Sequence, residues 1–405
     1  MAGFFPVFFK QYWSAGADAT ITTAKLGSVL SLSSLIIAVL SPTLGVMADL
    51  KGAKKAFCAL FMLIGAACCL WMALIPLGGW MQAMWAYGLA MVAFAASCVF
   101  YDALLPSVAR GVQMDDASSL GYGLGYLGGG VLFAINVVVL LKPAFFGLPE
   151  GDAGQVLAIK WAFASVAIWW LFFSIPLWKN VPEPASEKRS LGLWPATRES
   201  IVGLRRTLRD IRKDRNLFFF LLAFWMYIDG VYTVMTMAVD FGLSIGLGSS
   251  DLMTALLMVQ FIAFPSTVAF GKITGRFGCR KPILLCIGIY AVTVVLATRM
   301  STTAHFFLLA AVIGLVQGGV QSLSRSLFGH MVPPGRTGEF FGFFNLIGKF
   351  ASIVGPLVVA VTVLITGNSR YGMLGLLILF TAGGWLLWKV QERPISIATA
   401  SGDQL

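Results

Sequence analysis

Residues 45–76 read GVMADLKGAKKAFCALFMLIGAACCLWMALIP, a glycine- and lysine-rich loop that runs straight into 21 residues, 56–76, without a charge. A helix rises ~1.5 Å per residue, so about 20 apolar residues match the ~30 Å hydrocarbon core of a bilayer. Similar runs recur at 26–48, 82–105, 119–141, 157–178, 217–240, 251–271, 282–299, 304–328, 340–366 and 371–390. Within lipid only helices and closed barrels satisfy their own backbone, and these runs lack the alternation of barrel strands. The expected fold is an all-α membrane protein with eleven full spans. Composition agrees: 58% of residues are hydrophobic and 12% charged, against roughly 25% charged in soluble domains.

The formal net charge of +11 reads as the Lys/Arg excess of cytoplasmic loops, because most basic residues sit beside spans. No nucleic-acid partner is expected. Cys58, Cys68, Cys69, Cys98, Cys279 and Cys286 lie in or next to apolar runs with no CxxC pair, and read as small core residues. His305 and His330 are far apart in the chain, with no ligand-like neighbours, so neither a metal nor a cofactor is expected. No nucleophile with a base and no phosphate loop is present, which argues against an enzyme and against direct use of ATP.

The nine residues MAGFFPVFF before Lys10 reach only ~13 Å as a helix, too short to cross. Tyr12 and Trp13 follow as an interfacial belt would. No basic n-region precedes the apolar stretch, so it is not a signal peptide. The economical reading is part of a first span, giving a plan of 12 spans with the first truncated.

Lysines 51, 54 and 55, Arg110, the segment 179–215, Lys272, Arg276, Arg280, Lys281, Arg336, Lys389 and Arg393 fall on one side of the membrane. That side is read as cytoplasmic, with the C-terminus. The expected organisation is an N-terminal bundle at 1–178, a linker at 179–216, a C-terminal bundle at 217–392 and a tail at 393–405. In the linker Ile201, Leu204, Leu208 and Ile211 form an apolar stripe among basic residues, as in an amphipathic helix on the inner leaflet.

The halves repeat. GVMADLKGAKK at 45–55 returns as GKITGRFGCRK at 271–281, an offset of 226, and the glycines around Gly125 find a counterpart at Gly355-Pro356, an offset of 230. Parallel repeats about an axis along the membrane normal are a transporter plan, with the solute site near the midplane.

The first loop, Gly45, Asp49, Gly52, Lys54 and Lys55, resembles the G-x-x-x-D-x-x-G-x-[RK]-[RK] signature of the major facilitator superfamily. The second keeps Gly271, Arg276, Gly278, Arg280 and Lys281, with Gly275 in place of the Asp. A carboxylate among cations at a helix end can hold one gate state closed; a topology-setting loop is the plainer alternative. Gly121, Gly125, Gly129 and Gly130, with Tyr126 where the pattern has Pro, resemble the fifth-span glycine motif, for packing or for hinging. GYGLGYLGGG, FWMYIDGVYTV, QGGVQSLSRS and FFGFFNLIGKF together resemble the bacterial branch related to fungal vacuolar amino-acid effluxers of autophagy. The resemblance implies a two-bundle helical transporter whose cavity is lined by the seventh and tenth spans, on which Asp229 and Arg325 would fall.

Intramembrane ionisable residues are costly, and each needs a partner, water or a purpose. Asp229 shares a face with Tyr232, Thr233, Thr236 and Asp240, and Gln317, Gln321 and Ser324 share another with Arg325 at its edge. Asn345, Lys349 and Ser352 share a third, and Asp102 lies near the end of its span. Asp229 and Lys349, assisted by Arg325 and joined by Asp102, Asn345, Gln321 and Tyr126, are the candidate solute and coupling residues; a structural ion pair is the alternative. The expected function is ion-coupled secondary transport of a small, zwitterionic solute by a monomer in the bacterial inner membrane. A scaffold or sensor on the same fold stays open.

Overall fold

The computed structural model describes residues 5, 8–14, 19–183, 205–244, 248–333, 335–351, 353–367 and 369–392. Its principal helices are α1 (Ala19–Lys51), α2 (Lys54–Leu74), α3 (Trp80–Val108), α4 (Val112–Leu141), α5 (Asp152–Asn180) and α6 (Arg215–Ser244). They continue as α7 (Ser249–Phe277), α8 (Arg280–Ala297), α9 (Thr303–Met331), α10 (Thr337–Phe350), α11 (Val354–Thr366) and α12 (Leu376–Lys389). Among the described residues ten segments are long and apolar enough to cross a membrane, with Thr337–Thr366 counted as one; the apolar helix Met373–Lys389 is shorter. Each of the eleven expected spans overlaps helix, with 340–366 and 371–390 each divided into shorter pieces. Leu364 and Ile365 on α11 are 82% and 79% exposed, a surface suited to lipid rather than water.

Two differences from expectation have physical causes. The expected span 340–366 is broken between Phe350 and Val354. Pro356 falls in the first turn of α11, where its missing N–H costs no intrahelical bond and its fixed φ suits a helix start. Trp13 does not form an exposed belt. It is buried with Phe5, Phe8 and Phe9, its ring stacked on Phe163 at 5.7 Å, while Phe5 stacks on Tyr87 at 3.7 Å. Of the amphipathic stretch, residues 205–213 are helical; Ile201 and Leu204, like the tail 393–405, lie outside the described residues.

The chain forms two compact units. The first comprises Met1–Leu104, Gly128–Leu208 and Pro333–Phe350, and the second Leu105–Leu127, Arg209–Val332 and Ala351–Leu405. Each unit therefore takes in a segment from the other half of the sequence: α10 packs on α1 in the first, and the start of α4 packs on α9 in the second.

The repeat extends to conformation. Gly52 and Gly278 are 226 positions apart, the offset of the loops, and both have positive φ, 56° and 71°, which favours glycine at a helix C-terminus. Each loop is then gripped by the end of its own half. Lys55 N donates to Glu183 Oε2 at 2.9 Å, and Lys55 Nζ to the carbonyls of Trp178 and Val181 at 2.9 and 2.5 Å. In the second half Cys279 N and Arg280 N donate to Glu392 at 2.6 and 3.2 Å, and Arg280 reaches the Val390 carbonyl at 2.6 Å. In both copies a carboxylate meets the amides that open a helix, where the backbone dipole favours an anion.

Candidate functional site

In the first unit, the loop between α1 and α2 presents Asp49 and Lys54 to each other at 2.7 Å, with side chains only 8% and 5% exposed. Asp49 also accepts the backbone N–H groups of Gly338 and Glu339 at 3.0 and 2.7 Å, so it caps the N-terminus of α10 from another helix. Lys54 donates to Thr337 Oγ1 at 2.8 Å, and Arg336 pairs with Glu339 at 2.8 Å while reaching Thr207 at 3.0 Å. The approach depends on small residues. A Cβ at Gly342 would lie 2.7 Å from the Ser41 carbonyl oxygen, and one at Gly45 would collide with the Gly338 carbonyl. Sequence reading singled out Gly45, Asp49, Gly52, Lys54 and Lys55 but missed Thr337, Gly338 and Glu339; the Gly338-x-x-x-Gly342 spacing was the available signal.

The second loop, between α7 and α8, has no carboxylate at Gly275. Gly271 packs on Ser119, Gly278 and Arg280 join the Glu392 clamp, and Arg276 and Lys281 are exposed. Cys279 is fully buried. Burial, with the nearby carboxylates of Asp115 and Glu392, holds its thiol well above the usual range.

Asn345 Nδ2 donates to Asp102 Oδ2 at 3.3 Å within the first unit, joining α10 to α3. One turn further along α10 is Lys349, half-buried. Among the described residues no side chain or backbone group hydrogen-bonds or ion-pairs with its ammonium; the Cys98 thiol lies within electrostatic reach. Ser352, the next polar position of that face, lies outside the described residues.

The remaining candidates belong to the second unit. Asp229, on α6, accepts the N–H groups of Gly355 at 2.8 Å and Val354 at 3.2 Å, and the Thr233 hydroxyl at 3.4 Å. Its partner is therefore the N-terminus of α11. Tyr126 lies between two glutamines one turn apart on α9: its hydroxyl donates to Gln321 Oε1 at 2.9 Å and accepts from Gln317 Nε2 at 3.2 Å. Arg325 is 3% exposed. It donates through Nε and NH2 to the hydroxyl and carbonyl of Ser118, both at 2.9 Å, and stacks over Tyr122 at 4.5 Å. In the glycine stretch Gly123 packs closely on Val268 and Phe264, whereas Gly125 faces open space. The side chain of Asp240 lies outside the described residues.

The first unit thus holds a buried charged corner on the α1–α2 loop and a polar cluster with an ammonium on α10, and the second a carboxylate on the apolar helix α6. Such parts can gate and bind.

The family model described as Vacuole effluxer Atg22 like matches residues 22–394. An uncharacterized MFS-type transporter of Bacillus subtilis, YxiO, is 38% identical over 390 residues, 96% of this chain and 90% of that one. The autophagy-related protein 22-1 of Aspergillus clavatus is 27% identical over 301 residues, covering 68% of this chain and about half, 49%, of the fungal one. Among solved structures the proton:xylose symporter XylE aligns at a TM-score of 0.70 with 14% identity, covering 96% and 91% of the two chains. The transporter FucP in its outward conformation aligns at 0.68 with 12% identity, covering 97% and 94%. The chain thus has the major facilitator fold, and it belongs to the Vacuole effluxer Atg22-like family, a family of multi-pass transporters rather than enzymes.

Proposed function

We propose that the chain is a secondary active transporter that moves a small zwitterionic solute of the amino-acid class across the bacterial cell membrane by alternating access, coupled to a proton or sodium ion. One observation carries this reading: the Lys349 ammonium stands half-buried in a span, with no hydrogen-bond or ion-pair partner among the described residues. An isolated cation at such depth is costly, and a solute carboxylate would neutralise it. Asn345 and Asp102, one turn away, supply a donor and an acceptor for a solute's polar groups.

Asp229 serves as the coupling residue. Its carboxylate is held by the first amides of α11, so protonation would loosen the start of that helix and link ion binding to a local rearrangement. Arg325 and Tyr126, with Gln321, position α4 against α9. The Asp49 cluster acts as the gate, on the cytoplasmic side with the C-terminus, and the protein works as a monomer. The name of its family, vacuole effluxer, favours export of the solute.

The test is uptake and efflux in proteoliposomes, preceded by a thermal-shift screen of amino acids, dipeptides, sugars and organic acids, since a bound ligand stabilises the folded state. An amino-acid hit lost in Lys349→Ala, with transport that loses its pH dependence in Asp229→Asn, supports the reading. No hit in any class, and no flux for any solute, would favour a scaffold or sensor.

A further inference from the structure

Asp115 in the first turn of α4, Cys279 between α7 and α8, and His330 near the end of α9 are 51 to 215 residues apart in the chain. In the second unit they converge. One ligand atom from each, a carboxylate oxygen, Sγ and an imidazole nitrogen, lies within 4.8 Å of the others. His330 Nε2 is 2.8 Å from Asp115 Oδ1, and the Ser326 hydroxyl donates to the same oxygen. Asp115 and Cys279 are fully buried, while the His330 side chain is 20% exposed.

Two features distinguish this cluster from an ordinary polar contact. Asp115 Oδ2 is buried with no donor in good hydrogen-bond geometry among the described residues, although a buried carboxylate oxygen is expected to find one; the Cys279 thiol is the group that interacts with this carboxylate besides His330 and Ser326. The donor set is also chemically selective. Oxygen, nitrogen and sulfur together suit a borderline-soft ion, whereas calcium and magnesium take oxygen ligands.

We propose that Asp115, Cys279 and His330 bind one divalent transition-metal ion of the zinc class, with water or the Ser326 hydroxyl completing a tetrahedron. Coordination replaces the thiol proton, which leaves to solvent, so a dication meets a carboxylate, a thiolate and a neutral imidazole, and the buried site carries no net charge. Asp115 precedes the linker and its partners follow it, so the bound ion cross-links the two halves of the sequence.

The probe is Co2+, titrated into detergent-purified full-length protein stripped with a chelator. The expected result is one equivalent bound, with a thiolate-to-metal charge-transfer band and tetrahedral d–d bands, both removed by Zn2+. Cys279→Ser loses the charge-transfer band, and His330→Gln, which alters a partly exposed side chain, weakens binding by about tenfold or more. Cys286→Ser, which alters a buried thiol on the adjoining helix α8, leaves both unchanged. Absence of the charge-transfer band in the native protein, its survival in Cys279→Ser, or unchanged affinity in a monodisperse His330→Gln would overturn the proposal. None of these outcomes depends on the transported solute.

Discussion

The carboxylate of Asp229 caps the helix that begins at Val354: Oδ1 accepts the Gly355 N–H at 2.8 Å across 126 residues of sequence. Capping by a residue of another helix ties the broken tenth apolar segment to α6, because the free amides at the break have no partners within their own helix. Asp229→Asn keeps the shape but removes the charge and leaves one amide poorly served. A loss of about 1 kcal/mol is expected, read as a lowered melting temperature in detergent. Asp229→Ala should cost more, and equal melting of the two variants would mean that the cap is dispensable.

The Asp49–Lys54 pair predicts asymmetry between single and double variants. Removing Asp49 strands a buried ammonium that keeps Thr337 as its partner among the described residues, which costs about 3 kcal/mol or more. Lys54→Met in the same chain removes the stranded charge and should recover part of the loss. A double-mutant cycle on unfolding checks this, with a favourable coupling of about 1 kcal/mol or more as the expected outcome.

Glycines in this protein should divide by what surrounds them. Gly342→Ala places a methyl 2.7 Å from the Ser41 backbone oxygen, which cannot rotate away, so a loss of about 1–3 kcal/mol follows. Gly125→Ala meets nothing within 4 Å and should be neutral or stabilise by up to about 1 kcal/mol through helix propensity. Thermal unfolding of the two alanine variants side by side decides the matter; the opposite order would refute this account of packing.

Arg325→Lys tests whether charge or geometry matters at α4. Guanidinium serves two oxygens of Ser118 and stacks on Tyr122, and an ammonium cannot reproduce both. The expected cost is about 2 kcal/mol, against about 1 kcal/mol for Ser118→Ala. A lysine variant as stable as the native protein would show that charge alone suffices.

Hydropathy made the spans legible, since a run such as 56–76 allows no other solvent. The loop motif likewise pointed to Asp49 and Lys54, because a carboxylate flanked by cations needs partners. The identity of those partners was hidden: backbone amides of Gly338 and Glu339 carry no side-chain signature, and they lie almost 300 residues away. Asp229 illustrates the same limit. Its place in an apolar run marked it as unusual, but the helix end that receives it is signalled in the sequence only by Pro356, and Pro42, Pro106, Pro176 and Pro265 lie inside α1, α3, α5 and α7 without breaking them. Cys279 and His330, each unremarkable in its own segment, acquire meaning only when helices from both halves bring them to Asp115.

The borrowing of α10 by the first unit has a consequence for biosynthesis. Asp49 leaves the ribosome 289 residues before Gly338, and at translation speeds of roughly 5–20 residues per second that is a wait on the order of 15–60 s. During that interval the α1 surface around Ser41, Gly45 and Asp49 lacks the partner it has in the folded chain. Headgroups, water or the insertion machinery must occupy that place until residues 337–350 arrive, so the first unit cannot finish folding in the order in which it is made.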